Sequence, residues 1–184
     1  MATKSNPSED AAGRDFVITR VLDAPRELVF KAWVDPELMA QWWGPHTFTN
    51  PVCTLDVQPG GAYRIVMRGP DGVDYPLKGV YREVARPERL VMTVDCSEHP
   101  DAWHDLVNPN RDKSMGRPTL DMLQTVTFEN LEHATRLTVS IRFASAATRD
   151  ALVKIGMNEG WSQSLDRLAA EVAKLAAEST SRGS

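Results

Sequence analysis

The chain has 184 residues and a net charge of −4, with 42% of residues hydrophobic and 25% charged. That length supports one domain with a sizeable core, and the charge excludes a general nucleic-acid binder, which needs a basic face to neutralise phosphates. No apolar run approaches the roughly eighteen residues of a membrane span, and the polar residues 1–14 lack the apolar segment of a secretory signal.

Cys53 and Cys96 have no metal-ligand spacing and read as buried thiols, so the expected setting is a reducing cytoplasm. Residues 1–14 offer little to bury and are expected to form a disordered tail. Residues 16–22 (FVITRVL) read as a strand, rich in β-branched and apolar side chains. Pro25 suits a first helical turn behind an Asp23 or Ala24 cap, and Leu28, Val29, Ala32 and Trp33 follow at helical spacing. Asp35-Pro36 starts a second short helix, with a carboxylate cap and a proline in its first turn. Leu38, Met39, Trp42 and Trp43 form its apolar side, and Gly44-Pro45 stops it.

From residue 50 the period changes to two. Residues 52–57 form a strand, Pro59-Gly60-Gly61 turns the chain, and Tyr63, Ile65 and Met67 alternate with Arg64, Val66 and Arg68 in the next strand. Gly69-Pro70-Asp71-Gly72 is a turn. Residues 77–84 and 90–94 make two more strands, and 125–128 with 135–143 a last hairpin. In that final strand Leu137, Val139, Ile141 and Phe143 face one way and Arg136, Thr138, Ser140 and Arg142 the other, as in a sheet with one wet face.

Residues 97–117 (SEHPDAWHDLVNPNRDKSMGR) break the rhythm between two strands. A loop of this length is usually functional or disordered, and Trp103 and Leu106 can fold it back over the body. Beyond Ser145, a suitable cap, the spacing predicts one long amphipathic helix. Val153, Met157, Trp161, Leu165, Leu168, Val172 and Leu175 share one side, while Lys154, Glu159, Gln163, Arg167 and Glu171 suit water. Gly156 and Gly160 each cost roughly 1 kcal/mol against alanine in a helix. Either the helix approaches the sheet closely there, or it keeps room for a ligand or a bend. Residues 178–184 read as a frayed tail. The sum is an α+β layout in which a curved antiparallel sheet wraps around the C-terminal helix.

The stretches ITRVLDAPRELVFKAW, DPELMAQWWGP, GGAYRIVM, LKGVYREVARPERLVMTV, VTFEN and GMNEGWSQSLDRLAAEV occur in that order. They resemble the START-like (SRPBCC) superfamily with the Bet v 1 or helix-grip fold. Within it, they are similar to the bacterial proteins related to the C-terminal domain of the activator of Hsp90 ATPase. The resemblance implies an α+β helix-grip fold of about six to seven strands around the long helix, with two short helices after the first strand. It implies one such domain over residues 15–177, with a loop insertion at 97–117. Eukaryotic members also carry a separate N-terminal domain. Fourteen residues precede the domain here, so Hsp90 activation is not implied.

Trp42, Trp43, Tyr63, Ile65, Met67, Tyr81, Met157, Gly160 and Trp161 come from elements that this layout places around one interior. On spacing alone they fill a core. The resemblance adds a cavity for a hydrophobic or amphipathic small molecule, walled by flat aromatics and adaptable methionines. Trp103 and His104 would then belong to a lid formed by residues 97–117, and Tyr63, Tyr81 or His104 would orient the ligand. His99, Asp101, His104 and Asp105 have ligand chemistry for a metal but no supporting spacing. Arg111, Lys113 and Arg117 read as surface charge, and neither metal nor cofactor is expected. No nucleophile elbow, P-loop or dinucleotide fingerprint is present, so the reading favours a binding protein over an enzyme. Asp56, Arg64 and Tyr81 are the acid–base candidates if the chain is catalytic. The expected partner is the small molecule, with a chaperone as the alternative. No nucleic acid is expected, and the chain would act as a monomer or homodimer.

Overall fold

A computed structural model describes residues 13–183 of the protein. Residues 1–12, most of the expected N-terminal tail, and Ser184 lie outside the described residues. Seven strands, β1 (Asp15–Leu22), β2 (Thr49–Leu55), β3 (Ala62–Arg68), β4 (Asp74–Ala85), β5 (Arg89–Val94), β6 (Met122–Leu131) and β7 (Ala134–Arg142), form one sheet in the order β1-β7-β6-β5-β4-β3-β2. Every pairing is antiparallel. Helices α1 (Arg26–Val34) and α2 (Pro36–Trp42) follow β1, α3 (Asp101–Val107) joins β5 to β6, and α4 (Ala146–Lys154) and α5 (Met157–Ser181) close the chain. This is the helix-grip fold, with α5 gripped by the sheet.

Local chemistry accounts for these elements. On β7, Leu137, Val139 and Ile141 are buried, while Arg136 and Arg142 reach water. Pro51 sits in β2, an edge strand, where a missing N–H breaks no central ladder. Pro25 takes the N-cap position of α1 without a side-chain cap, so neither Asp23 nor Ala24 plays the expected role. The Asp35 carboxylate caps α2, accepting from the Glu37 and Leu38 amides at 3.0 and 3.3 Å. Trp33 and Trp42 are fully buried with ring centroids 4.8 Å apart, and the Trp42 Nε1 donates to the Ala32 carbonyl at 2.9 Å. Leu165, Leu168 and Val172 of α5 complete this core.

Three expectations about the C-terminal helix also need correction. The single long helix is two. Ser145 caps α4 as expected, its hydroxyl accepting from the Thr148 amide at 3.1 Å. α4 then ends at Gly156, whose φ of +106° is a left-handed conformation suited to glycine. α5 restarts at Met157, and Val153 is left 41% exposed rather than sharing the Met157 stripe. α5 also runs on to Ser181, into the stretch read as a frayed tail. Finally, Arg167 does not face water. Its guanidinium donates to the carbonyls of Gln41, Trp43, Gly44 and Pro45 at 2.8 to 3.1 Å, satisfying the free carbonyl end of α2.

Candidate functional site

Between the inner face of the sheet and the joint of α4 and α5 lies a cavity of about 370 Å3, within the size range of small-molecule sites. Trp43, Gly44, Pro45 and Phe48 border it from the α2–β2 connection. The sheet contributes Met67, Tyr75, Leu77 and Val94, then Met122, Gln124 and Ile141. The helical side is Leu152, Ile155, Met157, Trp161 and Ser164, with Gly156 and Gly160 between them. Cys96 and His99 lead into α3, whose Trp103 and Leu106 cover the remaining side.

The expected wall is thus divided. Trp43, Met67, Trp103, Met157, Gly160 and Trp161 line the cavity. Trp42, Tyr63, Ile65, Tyr81 and His104 are buried but do not line it. Trp42 packs among Trp33 and Trp43. Ile65 is core. Tyr63 lies across Gly79, its register partner, and its hydroxyl is committed to the Thr93 carbonyl at 2.6 Å. Tyr81 packs against Tyr63, with ring centroids 5.6 Å apart. His104 is buried on the inner side of α3, against the Trp103 ring at 5.1 Å. Neither tyrosine nor His104 is therefore placed to orient a molecule in the cavity.

Several lining residues escaped the sequence reading. Gln124 shares a face with Val126 and Phe128 along β6, and Tyr75 with Leu77 along β4, so extending each strand at its start would have found them. Phe48 and Ser164 carried no distinguishing signal, and Leu106 was legible only as part of the segment that folds back over the body. His99 shows in the sequence only the chemistry of a metal ligand.

The glycines resolve as a bend and as room. A Cβ on Gly160 would meet only Pro45 Cγ, at 3.9 Å, so the helix makes no close approach there. Trp161 stacks on Trp33 at 6.3 Å with planes 12° apart, and meets Trp43 edge-on at 5.4 Å. This aromatic contact fixes one wall.

Among the described residues, no Asp, Glu, Lys or Arg side chain lines the cavity. His99 is 4% exposed, held edge-on by Trp103 at 4.4 Å and by Tyr75 at 5.4 Å. Burial pushes its pKa down to about 4, and the neighbouring His104 pushes the same way. His99 is therefore neutral at pH 7. Burial also lowers the His104 pKa. The Cys96 thiol is pushed up to about 12, first by burial and then by Asp95, so it too is uncharged.

The segment over the cavity is ordered by ion pairs. Arg111 reaches Asp105 at 2.7 Å and Asp101 at 3.0 Å, Arg117 reaches Asp101 at 3.0 Å, and Lys113 reaches Asp105 at 3.0 Å. Arg117, then Arg111, hold the Asp101 carboxyl down to about 2. Two of the groups with metal-ligand chemistry, Asp101 and Asp105, are thereby paired with the cations that read as surface charge. Among the described residues no three His, Cys, Asp or Glu groups gather as a metal site would require. The acid–base candidates also lie elsewhere. Asp56 is exposed and accepts from Gln58 Nε2 at 3.0 Å, and Arg64 pairs with Glu98 at 2.6 Å.

The family described as "Activator of Hsp90 ATPase homolog 1-like protein" matches residues 23–173. The chain belongs to that family. Solved structures carry the likeness across the whole fold. A protein from Nitrosomonas europaea is 24% identical, with a TM-score of 0.74 over 90% of this chain and 98% of its own. One from Chromobacterium violaceum is 29% identical, with a TM-score of 0.66 over 86% and 96%. The AHSA1 protein of Silicibacter pomeroyi is 25% identical, with a TM-score of 0.65 over 86% and 97%. No curated protein matches the chain. Among the described residues of this AHSA1-like chain, no helix is long and apolar enough to cross a membrane.

Proposed function

We propose that the protein binds a hydrophobic or amphipathic small molecule in the cavity between the sheet and the α4–α5 joint. The binding unit is residues 15–177, and the setting is the cytoplasm, where Cys53 and Cys96 stay as free thiols. The observation that carries this reading is the lining, which is mostly apolar and aromatic, with no charged side chain among the described residues. Such a wall favours holding a ligand over acid–base chemistry on it. The cavity likewise favours ligand binding over a cochaperone-type role, which needs only a solid core and an outer docking face. Burial returns roughly 25 cal/mol per Å2. About 350 Å2 removed from water, ligand and wall together, then corresponds to roughly 9 kcal/mol, which makes micromolar affinity the tight end of the range once association costs are met. In this reading α3 is the lid, with Trp103 facing the ligand and Leu106, 63% exposed, at its outer edge.

Titration with N-phenyl-naphthylamine, an uncharged probe that brightens in apolar surroundings, tests the reading. Binding is expected to saturate, and Gly160→Leu and Met67→Trp, which fill the cavity, to weaken it about tenfold. A signal that never saturates, or one that both folded variants leave unchanged, refutes it.

A further inference from the structure

We infer that the ligand of this cavity carries an uncharged hydrogen-bonding group, such as a hydroxyl, carbonyl or amide, seated against His99. The inference rests on the ligand-binding reading above and names the class of ligand.

His99 lines the cavity and is 4% exposed, yet neither ring nitrogen has a hydrogen-bond partner among the described residues; both are covered by neighbouring side chains, so a ligand group reaches them through a small tilt of the ring, and His104, outside the lining, is unpartnered in the same way. A neutral imidazole presents one donor and one acceptor. Native interiors leave few such groups unmatched, because each forfeits its hydration without return. The ring is not free to find a partner elsewhere. Trp103 and Tyr75 clasp it edge-on from two sides, and turning it out would surrender both contacts. Gln124, 2% exposed, faces the same cavity and donates its amide only to the Met92 sulfur, at 3.7 Å. A thioether is a weak acceptor. The Ser164 hydroxyl is already spent on the Gly160 carbonyl at 2.9 Å. The unmet polar capacity of the wall therefore sits at His99, with Gln124 in support.

The same wall argues against a charged ligand. Among the described residues, no side chain of opposite charge lines it for a carboxylate or an ammonium to meet. Charged residues next in the chain to lining residues are committed elsewhere, Lys78 to Asp95 and Glu98 at 4.0 and 3.5 Å, and Glu98 also to Arg64. An imidazolium made to receive a carboxylate would sit beside His104 and between aromatic edges. Burying a charge without a matched partner costs more than one hydrogen bond returns. Alcohols, ketones, esters and amides fit this cavity; free acids and amines of the same chain length do not.

Displacement of N-phenyl-naphthylamine from the full chain at pH 8 separates these classes. Decanol is expected to displace the probe at about a tenth of the concentration that decanoate or decylamine needs. Measured against its own affinity for the probe, the affinity of His99→Phe for decanol should fall about tenfold relative to the parent. His99→Gln, which restores a donor and an acceptor, should recover part of that loss. In the parent protein, decanol should also shift the His99 imidazole nitrogen resonances. Decanoate binding as tightly as decanol, or decanol affinity and His99 resonances indifferent to each other, overturns the inference while leaving the cavity reading intact. Failure of the probe to bind the parent overturns both.

Discussion

Replacing Gly156 and Gly160 by alanine, one at a time, should move stability in opposite directions. Gly156 holds φ +106° between α4 and α5. An L-residue there meets a steric cost of about 1–2 kcal/mol, offset by about 0.4–1 kcal/mol from stiffening the unfolded chain. The net is a loss of about 1 kcal/mol. Gly160 is helical, and its new methyl would touch only Pro45 Cγ at 3.9 Å, an ordinary contact. The helix preference of alanine over glycine then contributes a gain of up to about 1 kcal/mol. The two variants should differ by about 2 kcal/mol, which at a urea slope of about 2 kcal/mol per M separates their midpoints by about 1 M. Urea unfolding followed by tryptophan fluorescence reads this directly, with an unchanged slope as the control. A Gly156→Ala protein as stable as the parent would mean that the joint is not held by its left-handed backbone. A Gly160→Ala protein clearly less stable than the parent would mean that the space over Gly160 is not open.

Arg167→Ala removes donors from four carbonyls at the end of α2 and should cost about 2–3 kcal/mol. Arg167→Lys should recover less than half, since one ammonium cannot span the set; full rescue in urea unfolding would show that charge alone matters. Because the His99 pKa is lowered from 6.5 to about 4 in the folded chain, the unfolded chain binds a proton that the folded chain refuses across that window. Stability is therefore lost as pH falls from 6.5 to about 4, by at most about 3 kcal/mol. The difference between parent and His99→Phe should carry that pH dependence, and two parallel profiles would contradict it. Arg111, its side chain 7% exposed, ties Asp101 to Asp105. Arg111→Ala should loosen α3 and speed probe release in stopped flow, and an unchanged release rate would argue against α3 as the lid.

The fold was legible because its signals are local and redundant. The period of two on β7, the Asp35-Pro36 start of α2 and the stripe from Trp161 to Val172 each name an element without help from its neighbours. The cavity wall was only half legible, for a physical reason. Periodicity tells which side of a strand or helix is apolar, not whether that side meets another side chain or a void. Trp42 and Trp43 are adjacent and equally aromatic, yet only Trp43 reaches the cavity, because Trp42 turns its indole N–H back to Ala32. Tyr63 reads as a wall residue until Gly79 is known to lie opposite, leaving a bare patch of strand for its ring. Arg167 falls on the polar side of α5, and nothing in the helix shows that the end of α2 arrives there needing donors.

The break at Gly156 shows how far a single misreading travels. In a continuous helix Val153 would stand one turn before Met157, on the same stripe as Trp161. The left-handed residue shifts the register, so that Leu152 and Ile155 turn inward and Val153 turns out. The cavity borders the joint itself, with Ile155, Gly156, Met157 and Gly160 in its lining. The signal was present in the sequence. A lysine in the last turn followed by glycine is a helix end, and Lys154 and Gly156 stand in those positions. Taken as a helix stop rather than a costly interior residue, Gly156 marks both where α4 ends and where the core is left open.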